Sequence, residues 1–387
     1  MAEQQPAQNN KGPTASRRSH RKSRLGCQNC KRRRIKDALR IGARTPSGLG
    51  AAPSPFSGYE SGSTPVPVVR PAALSNVADL ELLHNYSTST AYTISNVTDM
   101  QDFYRINVPQ LGFSHPFVLH VLMAFSARHL AHFRSSKRAY YTTKADQHWE
   151  IGLRATTALI PSVNENNAPA LYIFAIISSF YTLAKGPKPR DFLIFSDSGL
   201  AEWLVLFRGV RAIMETTNHS IRHGPLSPLF DTAIPRVQKF HAHDPSAGGE
   251  HARVAELRQL VTDLAGDSPN LPTYLAAIDD VSRCFACIFD DGGGKSGPSS
   301  SASTFSQTIF IWLYRVSDDF ILCLRQRQPV ALTIFAYFVV LLNELCNNWW
   351  MQGWVYHLIS GIHDALDDGS RPWIRWPMEK LGWIPDS

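Results

Sequence analysis

No apolar run in this 387-residue chain reaches the ~18–20 residues needed to cross a bilayer as a helix. The longest runs, near Ala170–Ala184 and Val330–Leu342, stop short, so no membrane span is expected. The N-terminal stretch has no apolar core and does not read as a secretory signal. Cysteine is scarce at six residues, which without such a signal argues for reduced thiols inside the cell rather than a disulfide framework. Sustained two-residue alternation with hairpin turns is missing, as are repeats of ~20–50 residues, so a β-sandwich and a solenoid are both excluded. Nucleophile-elbow, zinc-protease and dinucleotide signatures are absent as well, and no enzyme is expected.

What is present is unevenly spread. The chain carries 39 Lys and Arg against 32 Asp and Glu, and 13 of those basic residues precede Thr45, where only Glu3 and Asp37 are acidic. The remainder holds 26 basic and 30 acidic residues. A short basic arm joined to a mildly acidic body is the pattern of a nucleic-acid or nuclear-import segment.

Four stretches follow from composition. Residues 1–16 are polar and expected to be disordered; residues 17–44 form the basic arm. Residues 45–75 alternate Pro, Gly and Ser, from Pro46 to Pro71, and read as a linker. From residue 76 to 387 the spacing of apolar residues is helical, and the expected fold class is all-α. In the first helix, Leu80 and Leu83, and Leu82 and Tyr86, suggest one buried face. A second begins near Pro116, with Ser114 as the expected N-cap, and carries a stripe of Phe117, Val121, Leu122, Phe125 and Leu130. Further helices are expected over Ala139–Leu159, Ala170–Ala184, Glu202–Thr216, Arg253–Leu264, Leu271–Phe289, Phe305–Arg325, Val330–Cys346 and Trp354–Leu366. Residues 218–250 and 290–303 read as polar surface loops.

The sharpest motif is Arg24-Leu25-Gly26-Cys27-Gln28-Asn29-Cys30-Lys31-Arg32-Arg33-Arg34-Ile35-Lys36. Two cysteines three apart on one helical turn can direct both thiolates at a single metal ion. Cationic side chains following them are drawn to phosphate by counterion release and can reach guanine edges in the major groove. This segment resembles the fungal binuclear zinc-cluster (Zn2Cys6) transcription factors, in which six cysteines hold two zinc ions. Cys27 and Cys30 match the first pair, and Lys31 to Lys36 match the basic spacer. The resemblance implies DNA contact by Arg24, Lys31, Arg32, Arg33, Arg34 and Lys36, CGG-type half-sites, a homodimer or a heterodimer with related factors, and a nuclear location.

Asp37 stands where the third cysteine of that family falls, and no cysteine follows before Cys284. Two thiolates are half of a closed four-ligand site, so zinc, expected of the intact family, is not expected to be held stably here. An error in the deduced coding sequence, a splice isoform or a genuine loss would each produce this junction.

Blocks in the body carry the resemblance further, to the sterol uptake control-like zinc-cluster factors. They include Asp79 to Thr90, Phe113 to His120, Trp203 to Val210, Asn348 to Trp354 and Trp373 to Pro377. The resemblance implies an all-α regulatory domain that senses a hydrophobic small ligand, in some members a sterol. Aromatics can line such a pocket, and Trp349, Trp350 and Trp354, grouped around Gly353, are the candidate lining. The alternative is a ligand-binding or protein-interaction regulator that has lost zinc and sequence-specific DNA binding.

Three weaker motifs are read as structural. Cys284 and Cys287 lie on an apolar helical stretch and are expected to be buried and inert. Asp291 to Ser296 mimics the end of a phosphate-binding loop but lacks its first glycine. His129 and His132 share a helix face without a further ligand nearby.

Overall fold

The structure, a computed structural model, describes residues 77–197, 199–201, 203–205, 208–209, 224–242, 251–289 and 301–385. All of these fall in one compact unit, Val69–Ser387. The disordered N-terminus, basic arm and linker expected at residues 1–75 lie outside the described residues, as does the loop at 291–296.

The described residues are almost wholly helical, as the apolar spacing predicts. In the first half the elements are α1 (Val77–Thr88), α2 (Thr98–Asp102), α3 (Val108–Ser114), α4 (Pro116–Phe133), α5 (Arg138–Leu159) and α6 (Ala168–Ala184). Next come the short strands β1 (Phe195–Ser196) and β2 (Gly199–Leu200), paired antiparallel. The second half contains α7 (Ser227–Ala242), α8 (His251–Ala265), α9 (Leu271–Phe289), α10 (Ser301–Arg315) and α11 (Asp318–Arg325). It ends with α12 (Pro329–Leu342), α13 (Trp354–Ala365) and α14 (Arg375–Leu381).

Two helices organise the core. α4 packs against α1, α3, α5 and α6, and from Phe117 to Ala127 every side chain is buried. α12 packs against α9, α13 and α14 and is buried from Ala331 to Leu342. α12 is apolar nearly all round and has no solvent face to present, whereas α4 buries His120 and Ser126 only by pairing them. α6 is also buried over most of its length, and it meets the turn at Trp349–Met351 to join the two halves.

Several local expectations are corrected. Leu80 is 68% exposed, and the buried face of α1 is Leu82 and Tyr86. His115, not Ser114, occupies the N-cap of α4, because Ser114 is the last residue of α3. The stretch 305–325 is two helices broken at Val316, with the Ser317 hydroxyl accepting from the Phe320 N–H to start α11. Helix α7 occupies much of the expected loop at 218–250. It buries Leu229, Phe230 and Phe240, and Pro235 is accommodated within it. The hairpin of β1 and β2 was not legible, since strands of two residues are too short to show alternation.

Candidate functional site

The three candidate tryptophans are brought together where α4, α6 and the turn before α13 meet. Trp350 and Trp354 are buried, and Trp349 is half-buried. Trp349 stacks on Phe125 at 5.2 Å between ring centroids and lies 5.0 Å from the His129 ring. Trp350 meets Phe180 edge-on at 5.0 Å. Gly353 is required here by its backbone, with φ +83° at the N-cap of α13, rather than by a close approach. A Cβ at Gly353 would meet nothing nearer than Pro187 Cδ, at 3.7 Å.

Each indole N–H is satisfied by protein. Trp349 Nε1 donates to Thr93 Oγ1 at 3.0 Å, and Trp350 Nε1 donates to the Thr93 carbonyl at 3.1 Å. Trp354 Nε1 donates to the Leu183 carbonyl at 2.9 Å, near the end of α6. The tryptophans therefore stitch residues far apart in sequence, as buried indoles do when their single donor is paired.

Behind Trp349 lies a polar knot. Asn85 Nδ2 donates to Ser126 Oγ at 2.9 Å and to Thr90 Oγ1 at 3.1 Å. Ser126 Oγ donates to the Leu82 carbonyl at 2.7 Å, and Thr90 Oγ1 lies 3.1 Å from His129 Nδ1. Burial, aided by His132, pushes His129 down to about 4, so it is neutral near pH 7. His129 and His132 thus serve packing against Trp349, as their lack of a further ligand suggested.

The other candidates divide by location. Cys27, Cys30 and the basic residues Arg24, Lys31, Arg32, Arg33, Arg34 and Lys36 lie outside the described residues. Cys284 and Cys287 are buried on α9, and burial raises the Cys284 thiol well above its ordinary value. Such a thiol stays protonated and unreactive. Among the described residues, no group of three or more His, Cys, Asp or Glu side chains is placed to hold a metal ion. No single described helix is long and apolar enough to cross a membrane.

A feature invisible in the sequence is an open cleft of about 690 Å3 beside α13. Arg190, Phe192, Asp197, Arg327, His357 and Ser360 line it. These residues come from three distant stretches, and no motif joins them.

The body is similar to known proteins. Residues 81–236 match the fungal specific transcription factor domain. Across 319 residues the chain is 23% identical to a Zn(2)-C6 fungal-type transcription factor of Gibberella zeae, covering 78% of this chain and 61% of that protein. It is 26% identical over 339 residues to the Zn(2)-C6 fungal-type transcription factor afumD of Aspergillus fumigatus, covering 83% and 85%. A 173-residue stretch is 32% identical to sterol uptake control protein 2 of Saccharomyces cerevisiae, covering 42% of this chain and 18% of that protein. The chain thus spans less than two thirds of the length of the Gibberella and Saccharomyces relatives.

Proposed function

We propose that this chain, which carries a fungal specific transcription factor domain and is homologous to Zn(2)-C6 fungal-type factors, is a nuclear regulator of RNA polymerase II transcription. Its basic arm touches DNA and its all-α body regulates. The observation that carries the reading is the domain match at residues 81–236, standing behind an arm of 13 basic and two acidic residues. Arg24, Lys31, Arg32, Arg33, Arg34 and Lys36 supply the phosphate and base contacts. The body senses a hydrophobic ligand, a role supported by likeness to a protein named for sterol uptake control. Of Trp349, Trp350 and Trp354, Trp349 is the one open to solvent and the residue such a ligand would meet first, with Trp350 and Trp354 packed behind it.

Zinc does not fit the donor set. Cys27 and Cys30 provide two thiolates, and Asp37 holds the third ligand's position, so a closed site of four donors per ion is not available from the arm. DNA binding is therefore expected to be weak and steeply salt-dependent. Fluorescence anisotropy of the full chain, on duplexes with and without CGG half-sites, tests this. No binding to either duplex at low salt would remove the arm's assigned role.

The same missing ligands favour a second reading, a regulator that has lost zinc and DNA recognition and acts by pairing with intact relatives. DNA binding separates the two: salt-dependent affinity of the full chain for duplex favours the first reading, and no affinity at low salt favours the second.

A further inference from the structure

We propose that the cleft beside α13 binds the carboxylate of a small organic anion, with Arg190 and Arg327 as its ligands and Asp197 as a built-in competitor. The inference concerns the helical body and is independent of the DNA-binding reading.

Both arginines stand at backbone positions that favour glycine. At the end of α11 the Gln328 N–H bonds the Cys323 carbonyl and the Arg327 N–H bonds the Leu324 carbonyl. That pattern puts Arg327 at the left-handed residue of a Schellman cap, with φ +55°. Arg190 is the third residue of a turn closed by the Asp191 N–H on the Lys188 carbonyl, with Pro189 before it and φ +63°. This is a type II turn, whose third position ordinarily takes glycine. The non-glycine residues with positive φ among the described residues are Arg190, Leu193 and Arg327, and all stand on or beside this cleft.

The two side chains converge. Arg190 Nη1 lies 3.2 Å from Asp197 Oδ2, and Arg327 Nη2 lies 3.2 Å from Asp197 Oδ1. One carboxylate thus spans both guanidinium groups, an oxygen to each. The contacts are longer than the ~2.7–2.9 Å of firm charge-assisted bonds. Asp197 is half-exposed on the turn after β1, where exchange with a solute carboxylate needs no core movement. Arg327 is held ready by Phe192, whose ring centroid lies 4.8 Å from the guanidinium carbon.

Magnitudes argue against a purely structural role. An exposed ion pair contributes little to stability, no more than a non-glycine residue in the left-handed region costs. Two such pairs on two such residues leave the fold with no net gain over glycine. Asp191, His357, Ser360 and Asp364 also line the cleft. His357 Nε2 donates to the Asp191 carbonyl at 2.8 Å. The Asp191 carboxylate accepts from the Leu193 N–H and Asp364 lies 3.6 Å from His363 Nδ1, while both arginines are paired with Asp197.

The test uses the full chain, with succinate as probe and inorganic phosphate and chloride at matched ionic strength as comparators, read by calorimetry and thermal unfolding. Succinate should bind the wild type weakly and the Asp197→Asn variant about tenfold or more tightly. Arg327→Gly should lose that binding by a similar factor while melting at the same temperature or higher, because glycine suits the cap. Arg190→Gly should behave alike through an independent turn. Unchanged affinity in Asp197→Asn, or wild-type affinity in Arg327→Gly, would overturn the site. A lower melting temperature in both glycine variants without any succinate effect would make the cluster a structural tether. Tighter binding of phosphate than succinate would overturn the carboxylate assignment.

Discussion

His120 and His148 face each other across the α4–α5 interface with their Nδ1 atoms 3.0 Å apart, so one of the two nitrogens donates and the other accepts. On its far side His148 Nε2 lies 3.4 Å from Asp79 Oδ1, which fixes the direction. His148 donates to Asp79 through Nε2 and accepts from His120 through Nδ1. Both rings are buried, and that relay works only while the pair shares a single Nδ1 proton.

Acid should therefore destabilise the body. Burial, with His148 nearby, lowers His120 to about 4; burial also lowers His148, against the opposing pull of Asp79. His129 is lowered to about 4 as well. Unfolded histidines bind protons near pH 6.5 while His120 and His129 do not, so the unfolded chain takes up more protons between roughly 6.5 and 4. Stability is full above that window and falls through it, on the order of 1–2 kcal/mol for each of these two after allowing for partial solvent access. Urea unfolding between pH 4.5 and 7.5 should show a declining midpoint, and His120→Gln should flatten the slope. A flat wild-type profile would contradict the neutral relay.

Tyr86 carries a fully buried hydroxyl with no hydrogen-bond partner among the described residues. Removing an unpaired buried hydroxyl relieves a desolvation penalty, so Tyr86→Phe should be neutral or stabilise by up to about 1 kcal/mol. Loss of stability in this variant would mean that the hydroxyl has a partner after all, most simply an internal water.

Trp354 ties the start of α13 to the end of α6 through one hydrogen bond and a fully packed ring. Trp354→Phe should cost about 1–3 kcal/mol, from an orphaned Leu183 carbonyl and lost volume. Trp349→Phe should cost less, since its ring is partly solvated. Chemical denaturation of the two variants checks the order, which would reverse if Trp349 were the structural anchor.

In the arm, Arg34→Ala should weaken binding to CGG-containing DNA more than to shuffled DNA. Lys22→Ala should weaken both alike and flatten the salt dependence. Equal losses for Arg34→Ala on both duplexes would exclude base readout.

The helical class, the apolar runs of α6 and α12 and the likeness to zinc-cluster factors were legible because each is written in neighbouring residues. Three-to-four spacing marks a helix face, an unbroken apolar run marks a buried helix, and Cys27 to Lys36 spell a motif in order. Helix α7 lies in a stretch whose polar composition reads as a loop, yet tertiary burial of Leu229, Phe230 and Phe240 outweighs that local signal. Leu80 was misplaced for a similar reason: periodicity shows that a face exists, not which neighbour covers it.

By itself, the sequence determined the helical class and where most of the helices lie. Only the tertiary structure decided that Trp349 and Trp350 bond Thr93, that His148 reaches Asp79, and that Arg190 and Arg327 close on Asp197. Those pairings join residues as many as 257 positions apart. Local propensity acts over a helical turn, whereas such contacts depend on how whole helices cross, and that is set by the packing of the entire core.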